Sequence, residues 1–313
     1  MTQLEENFRN LIAVVVVWYN PSQLDDNLNA LANILSYSNF IKTVYIIDNS
    51  KNNNEYLLHG IQNYIDIPNY CNLGIAKALN IGCNRALADN FTYVMTMDQD
   101  SYWKEEQLTN YITFTKKIIK SDSTIKSIAP NTDQPVVRSV LSLLKEKIQG
   151  KRYNPKKPPI KPTLQYPTTV ICSGNIIDLS VWNHIGQFKE ELFIDDVDNE
   201  YCYRLLSNGY KIIRNNSILL NHHLGSSKRT FFSKLIRHSG NRIYFIFRNE
   251  LIIHFYYPNY TQDTIPKLKI YTKDCIFNPQ WFINIYYIIK GYIDYKKIIK
   301  NDEFHFLSLS ETK

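Results

Sequence analysis

Two carboxylates one residue apart follow an apolar run in the stretch YVMTMDQDSYW, at Asp98 and Asp100. Residues two apart in an extended segment face the same side, so both side chains can point towards one ligand. Carboxylate oxygens are hard ligands that suit Mg²⁺ or Mn²⁺ bound together with phosphate oxygens. A solvated turn in which Asp caps the following helix explains the pair at least as well. The motif alone therefore leaves a metal site and a structural turn open.

A second group of carboxylates lies in FIDDVDNEYCYR, where Asp195, Asp196, Asp198 and Glu200 fall within six residues. Like charges this close repel each other and raise some of their pKa values unless a cation or a substrate neutralises them. A partly desolvated carboxylate in such a group can act as a general base. An acidic helix start favoured by the macrodipole, with Arg204 as ion-pair partner, would account for some of the four.

Further polar clusters follow other apolar segments. Asp48 ends IIDNS, where an Asx-turn is a sufficient structural explanation and a nucleoside contact at a strand end is the functional one. Gly74 in NLGIAKALNIG precedes a helix start, where backbone N–H groups favour a diphosphate. His222 and His223 in NHHLG are typical of packed or capping histidines, but with a D-x-D pair a histidine can complete a metal site.

The elements that must position these residues alternate along the first half of the chain. LIAVVVVWY is a continuous apolar strand, and TVYIIDNS, IDIPNYCNLG and TYVMTMDQDS each indicate a strand that ends in a turn, with helical patterns between. This β-α-β rhythm predicts an α/β fold with a parallel sheet and ligands beyond the carboxyl ends of its strands. The polar clusters fall at such ends. The Pro- and Lys-rich stretch from Asn131 to Pro167 predicts a loop.

Composition excludes several classes of protein. The five Cys are odd in number and scattered, without a C-x-x-C pair, which argues against a disulfide framework or zinc knuckle and favours a reducing compartment. Neither the first apolar run nor IYFIFRNELIIHFYY, which Arg248 and Glu250 interrupt, is predicted to span a membrane. The chain lacks G-x-G-x-x-G and the P-loop pattern, so dinucleotide and P-loop sites lose their main support.

The C-terminal part of the chain is basic. Between Gly225 and Lys300 there are thirteen Lys or Arg against four Asp or Glu, interleaved with aromatic residues in helical patterns. We therefore predict two domains, residues 1–225 and a basic helical region over 226–313. The basic region suits an anionic membrane surface, and a dimerisation element or lid explains it equally well. No recognised nucleic-acid-binding module surrounds it, so nucleic acid is not an expected partner.

The order of these pieces resembles the family 2 glycosyltransferases, the inverting GT-A class, and most closely their bacterial rhamnosyltransferase branch. The resemblance runs from about Val14 to Gly225 and continues weakly through NRIYFIFRNE. It is carried by VVVWYNP, IIDNS, NLGIAKALNIG, MDQDS, SGNIIDLSVWNHIGQFKEELFIDDVDNEYCYRLLSNGY and NHHLG. It implies a GT-A fold, Rossmann-like with a mostly parallel central sheet flanked by helices, here with a C-terminal helical extension.

By position, the resemblance implies a nucleotide-sugar site. Asp48 matches the residue that hydrogen-bonds the pyrimidine base, and Asn72 with Gly74 lines the nucleotide pocket. Asp98 matches the first Asp of the D-x-D motif, near the ribose and the sugar.

The resemblance also implies a metal site and a catalytic base. Asp100 and His222, rather than His223, match the residues that hold Mg²⁺ or Mn²⁺. Asp198 matches the base. Asp196 stands where the rhamnosyltransferase pattern has Tyr, and this extra carboxylate makes it the alternative base.

The implied reaction is a metal-assisted single displacement with inversion. The implied donor is dTDP-L-rhamnose, and the acceptor is a hydroxyl of a growing polysaccharide or lipid-linked oligosaccharide of the bacterial cell envelope. We expect a cytoplasmic protein that contacts the inner face of the membrane peripherally, and a homo-oligomer stays open. The alternatives are a UDP-hexose donor, a non-catalytic glycan-binding relative and a nucleotidyltransferase. A nucleotidyltransferase would need a basic, Gly-rich triphosphate loop near the first strand, and WYNPSQLDDN contains neither Gly nor Lys.

Overall fold

A computed structural model describes residues 11–21, 31–32, 35, 41–132, 163–222, 240–276 and 280–301. These residues form two compact units. The first contains the described parts of 1–135, 157–190 and 197–226, and the second contains 191–196 and the described parts of 227–313. The predicted domain boundary between residues 225 and 226 lies outside the described residues, and the predicted division stays a prediction.

The first unit is built on a sheet whose described residues form nine strands. They are β1 (Ile12–Trp18), β2 (Val44–Asp48), β3 (Tyr64–Pro68), β4 (Tyr93–Asp98), β5 (Ser101–Tyr102), β6 (Ile125–Thr132), β7 (Leu164–Gln165), β8 (Asn175–Asp178) and β9 (Lys211–His222). Their order is β3-β2-β1-β4-β8-β6-β9-β5, with β7 on β9. Of these nine strands, β1, β2, β3, β4, β6 and β9 run in one direction, so the sheet is mostly parallel, as predicted.

The described helices of the first unit are α1 (Ile75–Ala88), α2 (Glu105–Ser121), α3 (Trp182–Ile185) and α4 (Val197–Ser207). They cover both faces of the sheet, and β1 is therefore buried along its whole length. Gly82 of α1 packs against Val15, where a Cβ would have no room. Val14 and Val16 point to the opposite face and share a core with Tyr111 of α2. Helices on both faces leave the strand ends as the accessible part of the sheet.

The prediction of a loop from Asn131 to Pro167 is wrong at both ends of this stretch. Strand β6 continues to Thr132, and β7 pairs Leu164 with Asn215 of β9. A two-residue edge strand needs only a short segment without Pro. The Pro-rich composition of the whole stretch does not reveal such a segment. Residues 133–162 lie outside the described residues.

The second unit contains three described helices, α5 (Gly240–Tyr256), α6 (Thr264–Ile276) and α7 (Trp281–Asn301). Helices α5 and α7 approach closely at Gly291, where a Cβ would lie 3.0 Å from the backbone oxygen of Tyr244. The Tyr244 hydroxyl also donates a hydrogen bond of 3.0 Å to Asp294 of α7. Among the helices that the structure describes, none is long and apolar enough to cross a bilayer.

Candidate active site

Hydrogen bonds join the carboxyl ends of β1, β2 and β4 to one another. The backbone N–H of Tyr19 donates to Gln99 Oε1 at 2.8 Å, which links the segment after β1 to the segment after β4. The backbone N–H of Asn20 donates to Ser50 Oγ at 2.7 Å, which links it to the segment after β2. The polar clusters of the sequence therefore meet at one edge of the sheet.

Asp48 is buried at the end of β2. Its Oδ1 accepts a hydrogen bond of 2.9 Å from the backbone N–H of Ser50, and its Oδ2 accepts one of 2.8 Å from Asn54 Nδ2. The Asx-turn considered from the sequence is therefore present, and Asp48 shapes the loop that follows β2. Each carboxylate oxygen has a second lone pair, so this structural role is compatible with a base contact, which stays a prediction.

Asn72 and Gly74 form the turn that starts α1. The backbone N–H of Gly74 donates to Asn72 Oδ1 at 3.0 Å, and Gly74 has a positive φ of 83° that favours glycine. Asn49, which the sequence analysis assigned no role, donates from Nδ2 to the Gly74 carbonyl at 3.0 Å and accepts from Asn69 Nδ2 at 2.9 Å. Asn49 therefore ties the end of β2 to the helix start where a diphosphate is predicted.

Asp98 is held by a serine that the sequence analysis missed. Ser173, almost fully buried, donates from Oγ to Asp98 Oδ2 at 2.6 Å. Ser173 Oγ also lies 2.7 Å from the hydroxyl of Ser101, which is completely buried, and accepts from the backbone N–H of Asp98 at 3.3 Å. The first Asp of the D-x-D motif is thus fixed by a contact across 75 residues of sequence.

Asp198 lies at the start of α4 and is held by the residue next to Ser173. Its Oδ2 accepts a hydrogen bond of 3.3 Å from the backbone N–H of Cys172, and its Oδ1 accepts one of 2.9 Å from Asn199. Burial raises the pKa of Asp198 to about 6, the nearby charge of Asp98 adds to the rise, and the backbone hydrogen bonds oppose it. Two adjacent residues therefore bring together the carboxylates of Asp98 and Asp198, which are 100 positions apart.

The predicted metal ligands come from segments that are paired as strands. Strand β5 pairs with β9 so that Ser101 lies opposite His222, which brings the backbone of residue 222 beside the D-x-D segment that ends at Asp100. For His222 the structure describes the backbone position alone. No group of three or more His, Cys, Asp or Glu among the described residues is arranged to hold a metal ion. The assignment of Asp100 and His222 stays a prediction.

The remaining acidic residues of FIDDVDNEYCYR have separate surroundings. Glu200 is completely buried and forms a two-bond ion pair with Arg204 one helical turn later, at 2.9 and 2.7 Å. This is the structural role that the sequence suggested for some of the four acids. Asp195 and Asp196 belong to the second unit, and Asp195 accepts hydrogen bonds from Arg242, the shortest of 2.9 Å. The role of Asp196 as the alternative base stays a prediction.

The geometry supports chemistry at one end of this edge and binding at the other. The β2–α1 end offers backbone N–H groups and amides, which suit a nucleotide. The β4–α4 end offers a partly buried carboxylate with a pKa of about 6, which can accept a proton near neutral pH. Asp98 lies between the two, because it ends β4 and is held by the same segment as Asp198.

Comparison with known proteins identifies the family of the chain. A sequence model of the family described as "Glycosyl transferase family 2" matches residues 13–175, just over half of the chain. The chain is 29% identical over 252 residues to the protein named dTDP-rhamnosyl transferase RfbF of Shigella flexneri, covering 77% of this chain and 79% of that protein.

Two solved structures with low sequence identity have the same fold. GalNAc-T7 with UDP, GalNAc and Mn²⁺ is 14% identical with a TM-score of 0.56, and the match covers 93% of this chain and 56% of that one. The mannosyltransferase PcManGT of Pyrobaculum calidifontis, in complex with GDP-Man and Mn²⁺, is 13% identical with a TM-score of 0.54 and covers 94% and 79% of the two chains. The fold is GT-A, and the prediction from the sequence is confirmed.

Proposed function

The chain belongs to glycosyl transferase family 2, and from this premise we propose that it transfers L-rhamnose from dTDP-L-rhamnose to a hydroxyl of a polysaccharide or lipid-linked oligosaccharide, with inversion. Membership of this family makes the chain a glycosyltransferase and decides against a nucleotidyltransferase. The rhamnosyl donor is supported by the sequence resemblance and by the similarity to the Shigella flexneri protein named dTDP-rhamnosyl transferase.

One observation carries the proposed mechanism: the adjacent residues Cys172 and Ser173 donate hydrogen bonds to the carboxylates of Asp198 and Asp98, respectively. We propose that Asp98 contacts the ribose and sugar of the donor and that Asp198 is the base. Asp198 then accepts the proton of the acceptor hydroxyl as the acceptor oxygen forms its bond to the anomeric carbon. The bond from that carbon to the diphosphate breaks, and dTDP leaves with the electron pair. Attack opposite the leaving group inverts the anomeric configuration.

The β2–α1 end of the edge would bind the nucleotide. We propose that Asp48 accepts a hydrogen bond from the pyrimidine base, through lone pairs that its contacts with Ser50 and Asn54 leave available. Asn72 and Gly74 would line the pocket, and the first backbone N–H groups of α1 would face the diphosphate. Each of these contacts uses a group that the fold already holds in position.

Divalent metal binding fits the donor set of the carboxylate end. Asp100 and His222 would hold Mg²⁺ or Mn²⁺, since carboxylate oxygen and imidazole nitrogen are ligands of such ions and β5–β9 pairing brings residue 222 beside the D-x-D segment. When bound, the cation supplies positive charge that stabilises the leaving diphosphate. Both fold relatives described above carry Mn²⁺ in their structures.

A nucleotide screen tests the donor. The melting temperature of the full chain, with Mg²⁺ or Mn²⁺ present, is measured with dTDP, UDP and GDP, and then with the corresponding nucleotide sugars. We expect the largest stabilisation with dTDP and dTDP-L-rhamnose, because mass action stabilises a folded protein in proportion to the logarithm of ligand concentration over Kd. Preference for UDP would replace the rhamnosyl donor by a UDP-hexose and leave the family assignment intact.

For the location of the protein, we propose peripheral contact with the inner face of an anionic membrane through α7. Four exposed apolar side chains of this helix recur at helical spacing on one face: Phe282, Tyr286, Ile289 and Ile293. Trp281, Ile283 and Tyr292 are exposed elsewhere on the helix. The last turns of the same helix carry three exposed lysines, Lys296, Lys297 and Lys300. An apolar face with flanking lysines is the pattern of a helix that lies in the headgroup layer, where lipid-linked acceptors are found.

Sedimentation with phosphatidylglycerol vesicles at low salt tests the α7 surface. Replacement of Phe282, Ile289 and Ile293 by Ser should abolish binding, whereas Ile270→Ser on the exposed side of α6 is the matched control. Each lysine near an anionic surface contributes about 1 kcal/mol, so binding should also weaken steeply with salt. If instead the wild type does not sediment with the vesicles and is a dimer, and the triple variant is a monomer, the α7 face is an interface between two copies.

A further inference from the structure

The loop formed by residues 191–196, here called the acidic loop, has an unusual backbone. Phe193, Asp195 and Asp196 have positive φ angles of 64°, 60° and 62°. L-residues rarely adopt this conformation, and a bulky side chain such as that of Phe193 adopts it least readily. Three such residues within four positions keep their conformation only where their surroundings hold them.

Arg248 of α5 holds the first half of the acidic loop. Its Nη2 donates to the carbonyl of Glu191 at 2.6 Å and to the carbonyl of Leu192 at 3.2 Å. The same guanidinium donates to Asn249 Oδ1 from Nε at 3.0 Å and from Nη2 at 2.8 Å. Arg248 is 7% exposed, so these bonds form away from water, where an unmet donor is costly.

Asn249, the next residue, holds the second half. Its Nδ2 lies within hydrogen-bond distance of three carbonyl oxygens of the loop, those of Leu192 at 2.9 Å, Ile194 at 2.8 Å and Asp195 at 3.0 Å. Asn249 is completely buried. Its donor group is directed at the loop and its acceptor at Arg248, so the side-chain amide is fully engaged in this one contact.

Two further contacts hold the side chains of the loop. The ring of Phe193 stacks on that of Phe245, with centroids 4.9 Å apart. The carboxylate of Asp195 accepts from both Nε and Nη2 of Arg242, at 3.1 and 2.9 Å. Four residues of α5 therefore hold the backbone and the side chains of one short loop.

We infer that Arg248 and Asn249 are positioning residues of the transfer reaction, acting by fixing the acidic loop. The inference rests on the proposed function. The loop carries Asp196, the alternative base, and Asp196 is followed directly by Val197, the first residue of α4, which carries Asp198 at its second position. A shift of the loop therefore moves the start of the helix on which the proposed base lies. A displacement of about 1 Å at a reacting group can lower turnover on the order of 100-fold.

This role differs from simple packing in what it affects. Asp48, Asn72 and Gly74, proposed for nucleotide binding, are not in the segment that the clamp of Arg248 and Asn249 holds. Loss of the clamp should therefore lower kcat and leave the KM for the donor and stabilisation by dTDP unchanged. A residue needed only for folding would lower all three together.

The test compares Asn249→Leu with Asn241→Leu. Asn249→Leu keeps the approximate volume of the buried side chain and removes its hydrogen bonds, and Asn241→Leu makes the same change at an exposed position of the same helix. We expect kcat to fall on the order of 100-fold in the first variant and to stay at the wild-type value in the second. Hydrogen exchange in the full chain should become faster in the peptide that spans residues 191–196.

Arg242→Gln serves if Asn249→Leu does not fold. It removes the partly exposed ion pair with Asp195 and should lower kcat about threefold, which is the size of effect expected for an exposed ion pair, with donor KM unchanged. Wild-type kcat and wild-type exchange in Asn249→Leu would overturn the inference, as would a parallel loss of dTDP binding. A wild-type enzyme that exchanges as expected but transfers no sugar would instead overturn the proposed function, together with the role inferred from it.

Discussion

The two ends of the candidate site differ in the groups that they present. At the β2–α1 end, called here the amide end, the side chains of Asn49, Asn54, Asn69 and Asn72 hydrogen-bond to one another, to Asp48 and to the backbone. At the β4–α4 end, called here the carboxylate end, Asp98, Asp100 and Asp198 bring negative charge to the edge. These hydrogen bonds hold the side chains of the amide end in position within the protein.

The carboxylate end is arranged differently because its charges oppose one another. The charge of Asp98 contributes to the raised pKa of Asp198, second to burial among the effects that raise it. Such a group is suited to change its protonation state, whereas the amide end is suited to keep its shape. We therefore expect binding at the amide end and chemistry at the carboxylate end, and variants at the two ends should separate the two properties.

The largest expected effect is that of Asp198→Asn on turnover. Asn keeps the shape and one of the two acceptor oxygens that meet the N–H groups of Cys172 and Asn199, but it cannot take a proton, so kcat should fall about 100- to 10,000-fold, the range of general-base catalysis. The Kd for dTDP, measured by calorimetry, should not change. Asp122→Asn, at a surface carboxylate that pairs with Lys211, is the control. If Asp198→Asn turns over normally and Asp196→Asn does not, Asp196 is the base.

Removal of a carboxylate of the D-x-D motif comes next. In Asp100→Ala the Mn²⁺ concentration that gives half-maximal activity should rise at least about tenfold, because a proposed ligand is lost. Asp98→Ala should leave this concentration unchanged and raise the KM for the donor. Equal metal dependence in the two variants would contradict the separate roles assigned to them.

A smaller effect is expected from Ser173→Ala. The variant removes a hydrogen bond of 2.6 Å to Asp98, and a bond to a charged group contributes about 1.5–3 kcal/mol, so the donor should bind at least about tenfold more weakly. Ser207→Ala, at an exposed position of α4, is the matched control. Unchanged donor affinity would show that Asp98 is oriented without Ser173.

The smallest effect is on stability and depends on pH. The pKa of Asp198 is raised in the folded state to about 6, above the value of about 3.9 for an unfolded Asp, so ionisation of this group destabilises the fold as pH rises through 6. At pH 8, Asp198→Asn should therefore melt at a higher temperature than the wild type, and the difference should vanish as pH falls from 6 to 4. A wild type that melts higher than the variant at pH 8 would contradict the raised pKa.

Much of the fold and part of the site could be predicted from the sequence. Continuous apolar segments such as IAVVVVW predict strands buried on both faces, and the polar residues that end them, Asp48 and Asp98, are then placed by the rule that ligands bind at carboxyl ends. The order of the motifs gave the family. These features are local, since each lies within a few residues of the pattern that reveals it.

The parts that the sequence did not reveal depend on contacts between distant segments. Ser173 and Asn49 are small polar residues in segments without a periodic pattern, and their roles follow only from partners 75 and 25 positions away. Asn249 stands inside an apolar helical pattern, where its polar side chain interrupts the hydrophobic run without showing which carbonyls it meets. The segments SGN and RNE belong to the family pattern, but the physical roles of their residues follow only from the contacts they make in the folded chain.

Proton NMR of the wild-type enzyme with dTDP-L-rhamnose and a saccharide acceptor, in buffer that contains Mg²⁺ and no Mn²⁺, gives the most direct test. The central claim is a single displacement at the carboxylate end. It predicts that dTDP is released while the rhamnosyl product appears with the anomeric configuration opposite to that of the donor. A product that retains the donor configuration would contradict the claim.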